Sequence, residues 1–333
     1  MPEPRFDVLG IGNAIVDIIA RTEEDFLVRE KLAKGSMRLI DAGEAERLYG
    51  HMGPAIETSG GCAGNTAAGV ASFGGRAAFI GKVAADELGH IYRHDMRALG
   101  IHFDTPPLTA PPPTARSMNL ITPDGERTMN TYLGACVELG PEDIDPDIVA
   151  AAAVTYFEGY LWDPPRAKEA FRRAAKIAHG AGRKVSLTLS DSFCVDRYRD
   201  EFLGLLRDGT VDILFANEAE LKSLYETADF DTGIAVLRKD CRLAAVTRSA
   251  EPALVVTPGS VEAVPAREVE EVVDTTGAGD LFAAGFLYGF TRDLPLSVCA
   301  ELGHLAAGEA ISHIGPRPAA VLKTVAEETG FRL

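Results

Sequence analysis

No apolar run in the sequence approaches the ~20 residues that a membrane-crossing helix needs. The opening residues, MPEPRFDVLGIGN, lack the basic region and apolar core of a secretory leader. Cysteine is scarce: Cys62, Cys136, Cys194, Cys241 and Cys299 lie far apart, and no CxxC pair occurs. This argues against a disulfide framework or a structural zinc site and fits reduced thiols in the cytoplasm. Positive charge is in short supply, with 33 Lys and Arg against 49 Asp and Glu and a net charge of −16. Neither nucleic acid nor membrane is expected as a partner, because polyanions demand basic faces. An acidic chain that handles phosphate must draw positive potential from a local device. Backbone amides, a helix N-terminus or a metal would serve.

What is present is an ordinary globular composition, 46% hydrophobic and 25% charged over 333 residues. That length allows one large domain or two smaller ones, and no internal repeat is visible. Strand-like runs at Arg5–Ile11, Ala77–Val83, Ala153–Glu158, Lys184–Leu189, Val211–Ala216 and Leu243–Thr247 alternate with helical patterns. The helical patterns cover Glu87–Leu99, Pro165–Ala181, Asp200–Arg207, Glu218–Glu226 and Asp231–Lys239. This βα rhythm predicts an α/β fold with a mostly parallel central sheet covered by helices on both faces. The rhythm breaks at SMNLIT-PDG-ERTMNTYLG, two strand-like arms around Pro123-Asp124-Gly125, which reads as a hairpin. With the strands at Ile15–Ile19 and Ser36–Ile40 it predicts a small second sheet, or an ordinary edge hairpin.

Four blocks carry chemistry. In Asp274-Thr275-Thr276-Gly277-Ala278-Gly279-Asp280, two glycines let the backbone turn tightly ahead of the apolar helix Leu281–Phe290. Unpaired amides at that helix start suit an anion, and Asp280 is either a capping acid or a base. Gly60-Gly61-Cys62-Ala63-Gly64-Asn65 permits close approach to a ligand, and Asn65 can donate and accept. Gly10-Ile11-Gly12-Asn13-Ala14-Ile15-Val16-Asp17 could offer a carboxamide and a carboxylate to a hydroxyl pair. A dinucleotide-binding loop would need a glycine where Ile15 stands, and no GxxxxGK[ST] loop exists. Asn217-Glu218-Ala219-Glu220 follows a strand end, where ligands gather in parallel sheets.

In their order along the chain, from Gly10–Asp17 through Gly60–Asn65 and Asn217–Glu220 to Asp274–Asp280, the four blocks resemble the ribokinase-like (PfkB) family of sugar and nucleoside kinases over essentially the whole chain. The resemblance implies a three-layer sandwich forming a single domain across 1–333, with a small β-sheet lid from about 15–41 and 105–135. It implies that Gly277, Ala278 and Gly279 form an anion hole while Asp280 takes the acceptor hydroxyl's proton. Asn13, Asp17, Gly60, Gly61 and Asn65 would hold the substrate. Asn217, Glu220, Thr247, Gly277, Gly279 and His304 would face ATP, with Glu220 near Mg²⁺ through water. Asp274 and Thr276 would serve a monovalent cation, K⁺. Relatives carry a Thr-x-Gly turn at Thr247-Arg248-Ser249, so Ser249 departs from the family's loop geometry. The segments Gly10–Asp17, Lys34–Asp41 and Arg127–Ala135 are similar to those of the adenosine-kinase branch. Tyr160 and Trp162 are then expected to stack a purine. The activity implied is phosphorylation of adenosine by ATP. A sugar kinase and a non-catalytic nucleoside-binding relative are the alternatives, in a cytoplasmic monomer or homodimer.

Overall fold

A computed structural model describes residues 3–333. The chain runs through strands β1 (Phe6–Ile11) and β2 (Ile15–Arg21), helix α1 (Glu24–Glu30), β3 (Met37–Leu39), α2 (Ala42–His51) and β4 (Ile56–Ser59). Next come α3 (Cys62–Ser72), β5 (Ala77–Ile80), α4 (Glu87–Ala98) and the hairpin β6 (Ala115–Ile121) with β7 (Arg127–Tyr132). The middle alternates α5 (Pro146–Ala150), β8 (Ala152–Glu158), α6 (Pro165–Gly180), β9 (Lys184–Thr188), α7 (Ser192–Arg207) and β10 (Ile213–Asn217). Then follow α8 (Glu218–Leu224), α9 (Phe230–Asp240), β11 (Leu243–Arg248), β12 (Glu251–Val256) and β13 (Val261–Val264). Helices α10 (Ala278–Phe290), α11 (Leu296–Ala310) and α12 (Leu322–Glu328) close the fold.

The main sheet has the strand order β13-β12-β11-β10-β9-β8-β1-β5. It is parallel from β11 to β5, and β12 and β13 add an antiparallel edge. Alternate residues of each strand feed opposite cores, as the two-residue period demands. Leu9, Phe157, Leu187, Leu214 and Val246 pack with α6 to α9 on one face. Val8, Tyr156, Phe215 and Ala245 pack with α3, α10 and α11 on the other. This is the expected α/β sandwich.

The second sheet, in the order β3-β7-β6-β2-β4, pairs the hairpin with β2 and β3 as the sequence suggests. β4 also belongs to it, antiparallel to β2. The charged stretch after β2 hides α1, whose Phe26 and Leu27 pack with Ala45 and Leu48 of α2 against Ile18, Met118 and Leu120. One face of this sheet is therefore covered by two helices and the other looks toward the main sheet. Helix α7 starts eight residues earlier than the sequence suggests, at Ser192, because the Asp191 side chain accepts the Cys194 amide and caps it. A local break at Tyr198 had hidden the first turns.

Trp162 requires a correction. It does not face a ligand: it is 1% exposed, with its ring 4.7 Å from that of Phe171 and 5.3 Å from that of Phe202, and its indole nitrogen donates to Glu201. The turn after β8 directs it into the core beneath α6 and α7, where a large aromatic removes the most apolar surface from water. Trp162→Ala should thus lower the unfolding free energy by about 3–5 kcal/mol in urea titration while changing substrate KM less than about twofold.

Candidate functional site

The carboxyl ends of β1, β8, β9, β10 and β11 open onto a cleft of about 1490 Å³ roofed by the second sheet. A single small ligand needs ~300–1,000 Å³, so there is room for two molecules side by side. Ile15, Met37, Leu39, Met129 and Leu133 make much of the roof apolar, and Asp17, Ser117, Arg127 and Thr131 add polar groups.

One end of the cleft is built on Glu158, the last residue of β8. Its two carboxylate oxygens accept the amides of Asn13 at 3.0 Å and Ala63 at 2.9 Å. The loop after β1 and the start of α3 are thereby clamped together. Gly12 is required there because a Cβ would overlap the Glu158 carboxylate, and Gly61, at φ 82°, because a Cβ would overlap the Asn13 carbonyl. The Asn13 side chain is 1% exposed, and neither its Oδ1 nor its Nδ2 has a protein partner. A buried carboxamide left empty on both sides costs several kcal/mol in a closed fold (~1–3 per group) unless a ligand or water completes it.

Asp280 sits in the first turn of α10, facing Asn65. Asn65 Nδ2 donates to Asp280 Oδ2 at 2.9 Å, and the Asn65 Oδ1 has no partner. Thr66 Oγ1 donates to the Asp280 carbonyl at 3.1 Å, so α3 and α10 are joined at their N-terminal ends. Burial holds the Asp280 carboxyl above the ordinary carboxylate range, against the Asn65 and Cys62 hydrogen bonds and the Arg127 charge. Gly277, at φ 76°, lies against the Pro316 carbonyl and leaves no space for a Cβ. Gly279 differs, since a Cβ there would meet no protein atom within 4 Å. The amides of Gly279 and Asp280 are not tied to the preceding loop, so an anion can reach them. Arg127 of β7 crosses from the roof to donate to Thr276 Oγ1, bringing a guanidinium to the same loop.

Asp17, in mid-β2, is 9% exposed and pushed up to about 6 by burial, with Arg127, Asn119 and Arg317 opposing. Gly60 lies behind it, and any Cβ at that position would overlap Asp17 Oδ2. Burial likewise moves Glu158 and Glu220 up to about 7. A concentration of raised carboxyls in one cleft is a mark of functional sites.

Asn217 and Glu220 line the cleft, but their side chains are engaged with each other. Asn217 Oδ1 accepts the Glu220 amide at 2.9 Å, and Glu220 accepts the Asn217 amide at 2.9 Å and the Asn217 side-chain nitrogen at 2.7 Å. This reciprocal cap starts α8. Thr247 lines the cleft. Ser249 adopts φ 54°, so the serine takes up the left-handed backbone suited to glycine, at a cost of ~1 kcal/mol. Arg248 pairs with Glu218 at 3.2 Å and lies over the Phe230 ring. His304 lines the far end, with Nε2 3.2 Å from the Val264 carbonyl and its ring edge-on to Phe282. Asp274 and Thr276 are brought together at 2.5 Å, but the Asp274 carboxylate already accepts the Thr276 amide and hydroxyl and the Gly315 amide. Tyr160 reaches the cleft, and its hydroxyl donates to Asp191 at 2.7 Å.

Glu158, Arg127 and Cys62 are part of the site without having been singled out from the sequence. Glu158 carried a usable signal, an acid at the carboxyl end of a parallel strand. Arg127 carried none, because only the roof sheet's position brings it over the Thr276 loop.

Comparison with known proteins follows this geometry. The model of the family described as "pfkB family carbohydrate kinase" matches residues 49–322. The crystal structure of adenosine kinase from Sinorhizobium meliloti superposes with a TM-score of 0.95 at 62% identity, covering 98% of this chain and 100% of that one. A probable sugar kinase from Rhizobium etli CFN 42 superposes with a TM-score of 0.96 at 60% identity, covering 98% and 99%. Adenosine kinase of Saccharomyces cerevisiae is 26% identical over 92% of this chain and 95% of its own. The chain is a member of the pfkB family of carbohydrate kinases.

Proposed function

We propose that this kinase transfers the γ-phosphoryl group of ATP to the 5′-hydroxyl of adenosine, giving AMP and ADP. The observation that carries the reading is the meeting of Asp280 and the open first-turn amides of α10 with the unpartnered carboxamide atoms of Asn13 and Asn65. Phosphoryl transfer requires a base and a preorganised anion site, with little covalent chemistry from the protein. Asn65 donates to Asp280 Oδ2 and orients the carboxylate that would take the hydroxyl proton. Its raised proton affinity makes it a better base than an exposed aspartate. The amides of Gly279 and Asp280, with Arg127, would offset charge on the transferring group. Asp17, Asn13 and Asn65 would hold the ribose hydroxyls.

An apolar roof of Ile15, Met37, Leu39, Met129 and Leu133 suits a nucleobase better than a free sugar. The likeness to the Sinorhizobium meliloti enzyme points the same way. The second reading, a sugar kinase, is favoured by the family's description and by the Rhizobium etli neighbour. An intact Asp280 speaks against a non-catalytic binding protein. Mg²⁺ supplies charge neutralisation of the triphosphate. Among the described residues no group of three His, Cys, Asp or Glu could hold a metal alone, so Glu220 would meet Mg²⁺ through water. K⁺ at Asp274 would meet a carboxylate already accepting three donors, and no step depends on it. All five cysteines are free thiols, and no described helix is long and apolar enough to cross a membrane. We place the reaction in the cytoplasm on that basis.

Coupled ADP release should be fastest with adenosine among adenosine, guanosine, inosine, ribose and fructose, and a preference for a free sugar would reverse the substrate assignment. Asp280→Asn should lower kcat by about 10²–10⁴-fold with the fold intact by circular dichroism, and near-normal turnover would remove it as base. Gly279→Ala should move stability and activity in opposite directions. The helix gains roughly 0.5–1 kcal/mol in thermal unfolding, whereas turnover falls because the methyl occupies the anion's place. Asp17, Glu158 and Glu220 bind protons more tightly folded than unfolded. Their contribution to stability is therefore full below the unfolded carboxylate range and lost as pH rises through about 6 to 7. Ligand-free Tm should accordingly be higher near pH 5.5 than near pH 8, by an amount that shrinks in Glu158→Gln; a flat profile in both would contradict it.

A further inference from the structure

We infer that Asn119 is a positioning residue, which anchors one oxygen of Asp17 and leaves the other aimed at the substrate, at the end of a directed hydrogen-bond chain across the roof sheet. The inference rests on the reading that Asp17 holds substrate hydroxyls.

Strand register builds the chain. β2 and β6 pair in parallel with Asp17 level with Ser117, and β6 and β7 pair antiparallel with Ser117 level with Thr131. Residues level with one another across a sheet project to the same face. Asp17, Ser117 and Thr131 thus form one row facing the cleft, and Asn119, two positions beyond Ser117, shares that face. Asparagine and aspartate are depleted from strand interiors, yet Asn119 is flanked by the core residues Met118 and Leu120 in the middle of β6.

The donors can be ordered. A carboxylate only accepts, so Asn119 must turn its NH₂ toward Asp17, and Nδ2 donates to Oδ1 at 3.0 Å. That leaves Asn119 Oδ1 to accept from Ser117 Oγ at 3.1 Å. The single Ser117 proton is then used, so Thr131, 2.8 Å away, is the donor to Ser117. Every bond points the same way, from Thr131 through Ser117 and Asn119 to the Asp17 charge. All four side chains are nine-tenths or more buried, and such chains polarise cooperatively where the dielectric is low.

Asp17 Oδ2 is left differently. It packs against Gly60, and among the described residues no donor reaches it. Other charged groups act on Asp17 without bonding to it. Arg127 of β7 and Arg317 of the segment before α12 favour the carboxylate, and Asp280 of α10 opposes it. Tyr92 of α4 has its hydroxyl engaged on the Gly60 carbonyl at 3.0 Å. Asn119 is therefore the one hydrogen-bond donor working against the burial of this carboxylate. Ser117 and Thr131 line the cleft, whereas Asn119 lies behind the lining. It acts through Asp17, without touching the ligand.

Calorimetric binding of adenosine from pH 5 to 8 tests the inference in the intact chain, with Asn119→Leu, Ser117→Ala and Asp17→Asn. Wild-type affinity should fall as pH drops through about 6, when Asp17 gains its proton. Asn119→Leu should move that inflection upward by about one pH unit, weakening binding roughly threefold near pH 6.5, approaching tenfold near pH 5, and hardly at all near pH 8. Ser117→Ala should shift it in the same direction by less, and it carries the test alone if Asn119→Leu does not fold. A merely structural Asn119 would lower Tm and change affinity by the same factor at every pH; an unshifted inflection in either variant overturns the inference. Asp17→Asn should weaken binding and abolish the inflection. If it instead kept wild-type affinity and profile, the assignment of Asp17 to the substrate would fall, and with it this inference. An effect of Asp17→Asn without a shift in Asn119→Leu would remove the inference alone.

Discussion

Glu158 ends the central strand β8 and spends both carboxylate oxygens on amides from separate segments, Asn13 after β1 and Ala63 at the start of α3. Backbone pairing brings the two segments near each other, with the Gly60 amide donating to the Ile15 carbonyl at 2.8 Å and β4 lying against β2, and the carboxylate fixes the amides at their tips. Their approach depends on Gly12 and Gly61 having no side chain, and it presents Asn13, Cys62 and Asn65 to one cleft. Through Asn65 and Thr66 the same arrangement reaches Asp280 and the start of α10. Without this carboxylate two buried amides would lose their acceptor, at ~1–3 kcal/mol each. Burial pushes Glu158 up to about 7, so the clamp is held by a group whose charge is itself sensitive to its surroundings.

The site divides its work between two layers. The main sheet and α10 contribute Asp280 and the open first-turn amides, the base and anion site we propose, and such groups need rigid support because small misplacements cost rate steeply. The roof contributes apolar surface, the buried Asp17 row and Arg127. Arg127 joins the layers at the site, since its guanidinium spans from β7 to Thr276. Local positive potential from amides and this arginine accounts for how a chain with net charge −16 can receive a triphosphate.

Much of this was legible in the sequence because it depends on local rules. The parallel strands and their helices follow from apolar runs and their period, and the 123–125 hairpin follows from Pro-Asp-Gly. Asp280 and its glycines are adjacent in sequence, so their chemistry could be read together. Asn217 and Glu220 were visible as a motif, although the structure adds that they bind each other as a helix cap. Helices α1 and α2 and the β12–β13 hairpin were missed for the opposite reason. Their short, charged sequences have weak periodicity, and packing stabilises them more than propensity does.

Residues that act across the fold could not be read that way. Trp162 offered an aromatic surface beside a strand end in either case, and only the turn after β8 directs it into the core. Asn119 is an unremarkable polar residue until register sets it against Asp17, 102 positions away. The sequence by itself determined the fold class, the glycine-rich turns and the place of the candidate base Asp280, because these rest on neighbours in the chain. Only the tertiary structure decided which carboxylates are clamped, which carboxamides stand empty and which aromatic meets the cleft. Those properties depend on burial and on partners supplied by distant strands.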